Sequence, residues 1–251
     1  MTAKRPLEAE RGFFIEETYE RIRQDILRHR LNPGVKLVPD HLATSLKVSR
    51  TPVRQALERL CQEGFVQHIP ARGYFVAEPP RSEIRDLYDV RFALEVRALE
   101  LAFERGFAPE AVDALEVIHE RYKALIENPS AASRSRIDQE FHLALAGLTD
   151  NELLVEMLRG IYDRLSFRRR SDGYWFWADR GLRGAAGARE HSALLASLRA
   201  GDRETALAAL RSHLAEAQAN YEQFIASVAA EENDRLLPGP RAAAPHPQET
   251  Q

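Results

Sequence analysis

Residues 48–60 read Val48-Ser49-Arg50-Thr51-Pro52-Val53-Arg54-Gln55-Ala56-Leu57-Glu58-Arg59-Leu60, and this stretch decides the fold of the N-terminal third. Val53, Ala56, Leu57 and Leu60 recur at helical spacing and form one apolar face. Ser49 stands where it can cap the helix, and Pro52 falls in the first turn, where early N–H groups have no partner. Gly64 ends the segment. Arg50 and Arg54, four apart, share a second face, with Gln55 beside it.

Upstream, Ile15, Tyr19, Ile22 and Ile26 form one stripe of a helix expected from about Phe14 to Arg30, stopped by the turn signal Asn32-Pro33-Gly34. Asp40 is expected to N-cap a short helix carrying Leu42 and Leu46. Downstream come two β-type runs, Phe65–Ile69 and Tyr74–Val76, joined by the hairpin turn Pro70-Ala71-Arg72-Gly73. Three short helices and a hairpin make a winged helix-turn-helix over residues 13–77. Such a motif lays its second helix in the DNA major groove, with N-terminal residues at base edges. Arg50 and Arg54 suit bidentate contact with guanine. Ser49 and Thr51 are expected to reach phosphates with the helix N-terminal N–H groups, and Arg72 to enter a minor groove or touch backbone. The plainer reading makes the two arginines ordinary solvated charges. Cys61 reads as a small packing residue, in line with the buried habit of free cysteine.

The chain has 251 residues, 44% hydrophobic and 29% charged, enough for one large or two ordinary domains. No apolar run is long enough to span a membrane. The polar start, Met1 to Glu10, lacks a signal-peptide core, and the single cysteine fits a reducing cytosol, so a cytoplasmic protein is expected. Residues 1–80 carry 13 Lys+Arg and 10 Asp+Glu (+3), whereas residues 81–251 carry 22 and 28 (−6). This mild asymmetry is compatible with DNA at one end, but the placement of the arginines carries the argument.

Glu78-Pro79-Pro80 reads as a linker over residues 78–81, and residues 82–229 as an all-helical unit. Six helices are expected, at roughly 82–105, 109–127, 131–148, 150–170, 186–200 and 202–228. Residues 1–12 read as frayed, and the proline-rich tail 230–251 as disordered.

Within that unit Asp138 and His142 lie four apart beside the Ile137, Phe141, Leu145 stripe. His191 extends the inward face of Leu194, Leu195 and Leu198, and His213 adjoins Leu207, Leu210 and Leu214. A lone inward histidine is more often a hydrogen-bonded core residue. One carboxylate and three imidazoles together are costly to bury unpaired, and a divalent metal satisfies all four at once. Three histidines and an aspartate suit zinc or nickel. Arg91 sits on the inward stripe Leu87, Arg91, Leu94, Ala98 and Leu101. Its partner is either Glu95, one helical turn on, or the carboxylate of a ligand. In residues 167–177, FRRRSDGYWFW, Arg168–Arg170 could line a pocket or a surface, and Tyr174–Trp177 could form a lid or a subunit interface.

The string NPGVKLVPDHLATSLKVSRTPVRQALERLCQEGFVQHIPARGYFV, residues 32–76, resembles the DNA-binding domain of the GntR family of regulators, over 18–77 almost without gaps. That resemblance implies operator contacts from Arg50, Thr51, Arg54, Arg72 and Gly73. Two departures stand out: Pro39-Asp40 replaces a common Glu-Arg pair, and Lys47 replaces a glycine in the turn. The strings DQEFHLAL (138–145), REHSALLASLRAGDRETALAALRSHL (189–214) and LYDVRFALEVRALELA (87–102) resemble the FCD ligand-binding domain over about 82–225. It implies an antiparallel helical bundle with metal ligands Asp138, His142, His191 and His213. Six helices would place the chain nearer the shorter, VanR-like branch than the seven-helix FadR-like one. A small carboxylate effector between Arg91 and the metal, and a homodimer on a pseudopalindromic DNA operator acting as a repressor, complete the expectation. The rivals are a pure metal sensor, a structural zinc clamp and a metal-dependent hydrolase; no general base beyond the ligands supports the last.

Overall fold

The computed structural model describes residues 5–78, 83–127, 131–172, 174 and 183–236. Helix α1 spans Arg5–Leu27, α2 Pro39–Leu46 and α3 Arg50–Gln62. Strands β1 (Lys36–Leu37), β2 (Val66–Ile69) and β3 (Gly73–Val76) form an antiparallel sheet in the order β1-β3-β2. β3 pairs Tyr74 with Leu37 on one side and with His68 on the other. The two-residue β1 turns the expected hairpin into a three-stranded wing; it is too short for an alternation pattern to announce it.

Two boundaries of the head differ from the sequence reading. α1 begins at Arg5, so residues 5–12 are helical rather than frayed. Their Glu, Ala, Arg and Leu are good helix formers, and Pro6 is tolerated in a first turn. The N-cap of α2 is Val38, not Asp40, because Pro39 occupies the first helical position, and Asp40 falls inside the first turn. Ser49 does occupy the N-cap of α3, with extended backbone, but its side chain makes no capping bond. Lys47 takes a left-handed conformation (φ 57°) at the end of α2. Glycine adopts that geometry freely; lysine costs about 1–2 kcal/mol there.

The head is held by Ile22 and Ile26 of α1, Val53, Leu57 and Leu60 of α3, and Leu37, Val66 and Val76 of the sheet, all buried. Cys61 packs half-buried at its edge.

Beyond the head lie α4 (Glu83–Arg105), α5 (Pro109–Glu127), α6 (Ala131–Gly147), α7 (Glu152–Ser171), α8 (Arg183–Ala200) and α9 (Arg203–Leu236). Short connections fold successive helices back on each other. One connection is Gly201 (φ 67°) followed by Asp202, whose Oδ1 accepts from the Thr205 N–H at 3.0 Å. α9 runs to Leu236 rather than 228, since nothing in AAEENDRL opposes helix until Pro238 disfavours it at the preceding residue. Residues 230–236, expected within the disordered tail, are thus helical, and 237–251 lies outside the described residues, as do linker positions 79–82 and Trp175–Trp177. Whether a seventh helix separates α7 from α8 turns on residues 175–182, also outside them. No described helix is long and apolar enough to cross a membrane.

The bundle core joins Leu99, Leu115, Phe141, Leu145, Leu194 and Leu210 from five helices. Head and bundle are also packed together. Phe167 of α7 is buried in the head core, edge-on to Phe65 with ring centroids 5.8 Å apart. Arg23 of α1 pairs with Asp163 of α7. Phe167→Ala should cost about 3–5 kcal/mol, the usual range for a fully buried phenylalanine. Urea unfolding measures this, and a loss under about 1 kcal/mol would deny Phe167 a role in joining head to bundle.

Candidate functional site

The exposed face of the head carries the residues read as DNA contacts. Ser49, Arg50, Thr51, Arg54 and Gln55 are all exposed at the start of α3, while Val53, Ala56 and Leu57 face inward. Arg72 is exposed at the wing tip, where Ala71 (φ 62°) and Gly73 (φ 99°) take left-handed backbone. The departure at Asp40 acquires a geometry: its Oδ1 lies 2.9 Å from Arg50 Nε, both side chains being solvent-exposed. Salt screens such a pair and it is worth little, so Arg50 remains free to exchange it for another acceptor.

The second site lies inside the bundle. Asp138 and His142 come from α6, His191 from α8 and His213 from α9, and one ligand-capable atom of each lies within 4.8 Å of all the others. The three imidazoles are buried. Each arrives by helical spacing: Phe141 stacks on His191 at 4.2 Å, and the Leu194–Leu198 and Leu207–Leu214 faces carry His191 and His213 inward.

Two carboxylates outside this group orient it. Glu95 of α4 accepts from His142 Nδ1 at 2.6 Å, and Glu190 accepts from His213 Nδ1 at 2.7 Å. Each ring therefore carries its proton on Nδ1 and turns a lone pair on Nε2 toward the other, 3.0 Å away. Asp138 Oδ1 lies 3.5 Å from His191 Nε2 and 3.8 Å from His142 Nε2. Neither ring nitrogen of His191 has a hydrogen-bond partner although both are buried. Burial holds the His142 and His191 pKa values below the ordinary histidine range, so a proton is a poor occupant of this space. Burial would raise the Asp138 carboxyl, but the surrounding His142, His191 and His213 rings together with the Arg91 guanidinium hold it below the ordinary carboxylate range. A half-buried carboxylate and converging imidazole lone pairs have the chemistry of a divalent-cation site.

Glu95 also accepts from Arg91 Nε at 2.6 Å and from Tyr162 Oη at 2.8 Å. Burial alone would raise its carboxyl; His142 and Arg91 hold it well below the usual carboxylate range. The helical-turn partner of Arg91 is thus occupied, yet Arg91 Nη2 is buried without an acceptor. It borders a cavity of about 120 Å³ that Asp138, His213, Arg134, Arg169 and Tyr174 also line. Of the arginine run, Arg168 and Arg169 are buried, so they are not a surface feature. Tyr174 is buried between α4 and α9 residues.

Sequence reading weighed Glu95 only as a neutraliser for Arg91; its bonds to α6 and α7 cross helices that spacing cannot relate. It passed over Glu190, and also His119, buried 5.8 Å from the His191 ring and bonded to Ser192 Oγ at 2.8 Å. Leu115 and Tyr122 flank His119 at i−4 and i+3, which was the available signal.

Three comparisons bear on this arrangement. A family model described as "Bacterial regulatory proteins, gntR family" matches residues 14–76, and one described as "FCD domain" matches residues 86–216. The Nta operon transcriptional regulator of Aminobacter aminovorans is 35% identical over 154 residues, 61% of this chain and 70% of that protein. The HTH-type transcriptional repressor RspR of Escherichia coli is 25% identical over 155 residues, 61% of this chain and 68% of that one. Among solved structures, E. coli McbR/YncC aligns over 84% of this chain and 98% of its own with a TM-score of 0.68 and 24% identity, a likeness of fold.

Glu95→Ala should destabilise the fold by about 3–5 kcal/mol in urea unfolding, because it strands the buried Arg91 charge and the His142 Nδ1–H. A variant as stable as the parent would contradict this arrangement.

Proposed function

The chain belongs to the GntR family of bacterial regulatory proteins, in the branch with an FCD domain, and it is a DNA-binding transcription regulator rather than an enzyme; from that premise we propose that it is a homodimeric repressor whose hold on a pseudopalindromic operator is set by a small carboxylate bound beside a divalent metal. The observation that carries this reading is the pair of imidazole lone pairs facing each other at 3.0 Å, each ring locked by a carboxylate, together with Arg91, whose Nη2 has no partner and which lines a cavity beside Asp138 and His213.

Asp138, His142, His191 and His213 would hold the metal, and this donor set suits zinc or nickel. Bound there, a divalent ion supplies a Lewis-acidic centre for a carboxylate ligand. Arg91, Arg134 and Arg169 supply the cationic wall, and guanidinium forks match carboxylates well. A cavity near 120 Å³ favours an acid of only a few heavy atoms. A regulator responding to metal alone would leave the Arg91 Nη2 donor without a use, so the acid reading is preferred.

Coupling to DNA runs through α7. Tyr162 donates to Glu95, Asp163 pairs with Arg23 of α1, and Phe167 packs in the head. A ligand that alters the Arg91–Glu95 contact therefore acts on a helix bonded to the reading head. It shifts operator affinity only as far as it binds the two arrangements unequally. The operator face is Ser49, Arg50, Thr51, Arg54 and Gln55 with Arg72 and Gly73 of the wing. Repression draws support from the RspR relative, which carries that description. Dimerisation draws support from exposed apolar residues, Val90 on α4 and Leu153 and Met157 on the adjacent α7, where Gly160 leaves open space.

Three outcomes are expected. Purified protein retains about one zinc or nickel per chain, and its melting temperature rises with one or more members of a panel of small carboxylates. His191→Ala loses both properties, whereas Arg91→Lys keeps the metal and loses the rise. Stoichiometric metal with no response to any acid would favour metal sensing or a structural clamp. Second, Arg54→Ala weakens operator binding by about 1–3 kcal/mol, roughly 5–150-fold, in a fluorescence anisotropy titration, and unchanged affinity would remove Arg54 from the operator face. Third, Leu153→Asp with Met157→Asp yields monomers by light scattering; a persistent dimer would place the interface elsewhere.

A further inference from the structure

We propose that the cleft between head and bundle, walled by α1, α6 and α7, is a second ligand site that takes a small anion bearing two or more phosphoryl groups. The cleft encloses about 570 Å³, nearly five times the cavity beside the histidines and within the ordinary range for ligand pockets.

Its walls hold five guanidiniums: Arg23 from α1, Arg28 from the turn after it, Arg136 from α6, and Arg159 and Arg170 from α7. Only two carboxylates share them. Asp163 is taken by Arg23 and by Gln139, whose Nε2 donates at 3.2 Å. Glu140 is engaged from outside the cleft by Arg121 of α5, at 2.5 and 3.0 Å. Among the described residues, Arg28, Arg136 and Arg170 are left with no carboxylate partner, and Arg159 makes no ion pair but feels the charge of Asp163.

Several arginines elsewhere on the surface are paired. Arg59 pairs with Glu16 and Glu63, Arg97 with Glu100 and Glu104, and Arg199 with Asp113 and Glu116. In the cleft four guanidiniums, one from the turn after α1, one from α6 and two from α7, line a single volume that holds only two carboxylates. Arg23 Nε is in addition buried without an acceptor. Ser135, Ser166 and Gln139 add neutral donors to the wall.

Guanidinium forks match phosphate oxygens bidentately, and four of them exceed what one phosphoryl group can satisfy. Operator DNA is a poor occupant, since α3 and the wing, which carry Arg50, Arg54 and Arg72, do not line the cleft. An anion held here ties Arg28 of the head to α6 and α7 of the bundle. It therefore braces the head independently of the histidine cluster.

The test is calorimetric titration of the metal-loaded full chain with fructose 1,6-bisphosphate, with inorganic phosphate and sulfate at matched ionic strength as comparisons. The bisphosphate should bind one per chain, at least tenfold tighter than sulfate. Arg136→Gln with Arg159→Gln should weaken it at least tenfold without lowering the melting temperature, since both side chains are exposed and neither makes an ion pair among the described residues. His191→Ala and Arg50→Ala should leave it unchanged, separating this cleft from the histidine cluster and the operator face. Bisphosphate binding no tighter than sulfate, or unchanged in the double arginine variant, would overturn the proposal. So would a double variant impaired for operator DNA in a protein that ignores the bisphosphate, which would make the cleft a DNA contact.

Discussion

One buried carboxylate organises the bundle. Glu95 has no solvent of its own and accepts from Arg91, His142 and Tyr162, three donors on three helices. An unpaired carboxylate in such surroundings would cost several kcal/mol, and here the geometry offsets that cost. The same bonds fix the tautomer of His142, spend Nε of Arg91 while leaving Nη2 over, and fasten α7 to α4. Remove the carboxylate and the imidazole, the guanidinium and the phenol each lose the partner that sets their direction.

α7 extends this constraint to the far end of the molecule. Within six residues it presents Tyr162 to Glu95, Asp163 to Arg23 and Phe167 to the head core. A helix is stiff on this scale, so its small displacements are passed on rather than absorbed. Contiguous packing is not itself proof of coupling; the physical claim is that α7 has two positions which ligand and operator favour unequally. The arginine-lined cleft flanks the same helix, so two chemically different ligands would act on one moving part.

The head was legible in its sequence because helix, turn and strand signals are local. Val53, Ala56, Leu57 and Leu60 had to share a face, and the arginines opposite them had to be exposed. What escaped was set by tertiary pairing: the two-residue β1 exists only because β3 lies beside it, and Pro39 displaced Asp40 from the cap. Inside the bundle, Asp138, His142, His191 and His213 announced themselves by falling on apolar stripes. Glu95 and Glu190 did not, because a carboxylate on a helix is usually solvated, and only the distance to an imidazole on another helix reveals its use. The orientation of Arg169 inward, from a run that reads as surface charge, belongs to the same class.

The central claim is that the cluster of Asp138 and three histidines governs DNA binding through Glu95 and α7. The most direct measurement is the operator dissociation constant, by anisotropy on DNA selected by this protein, with and without the acid that raises its melting temperature, for the parent and for Tyr162→Phe. That variant removes only the Glu95–α7 hydrogen bond. The account predicts that the acid still binds the variant while its effect on operator affinity shrinks several-fold. An undiminished effect would show that the signal reaches DNA by a route other than α7.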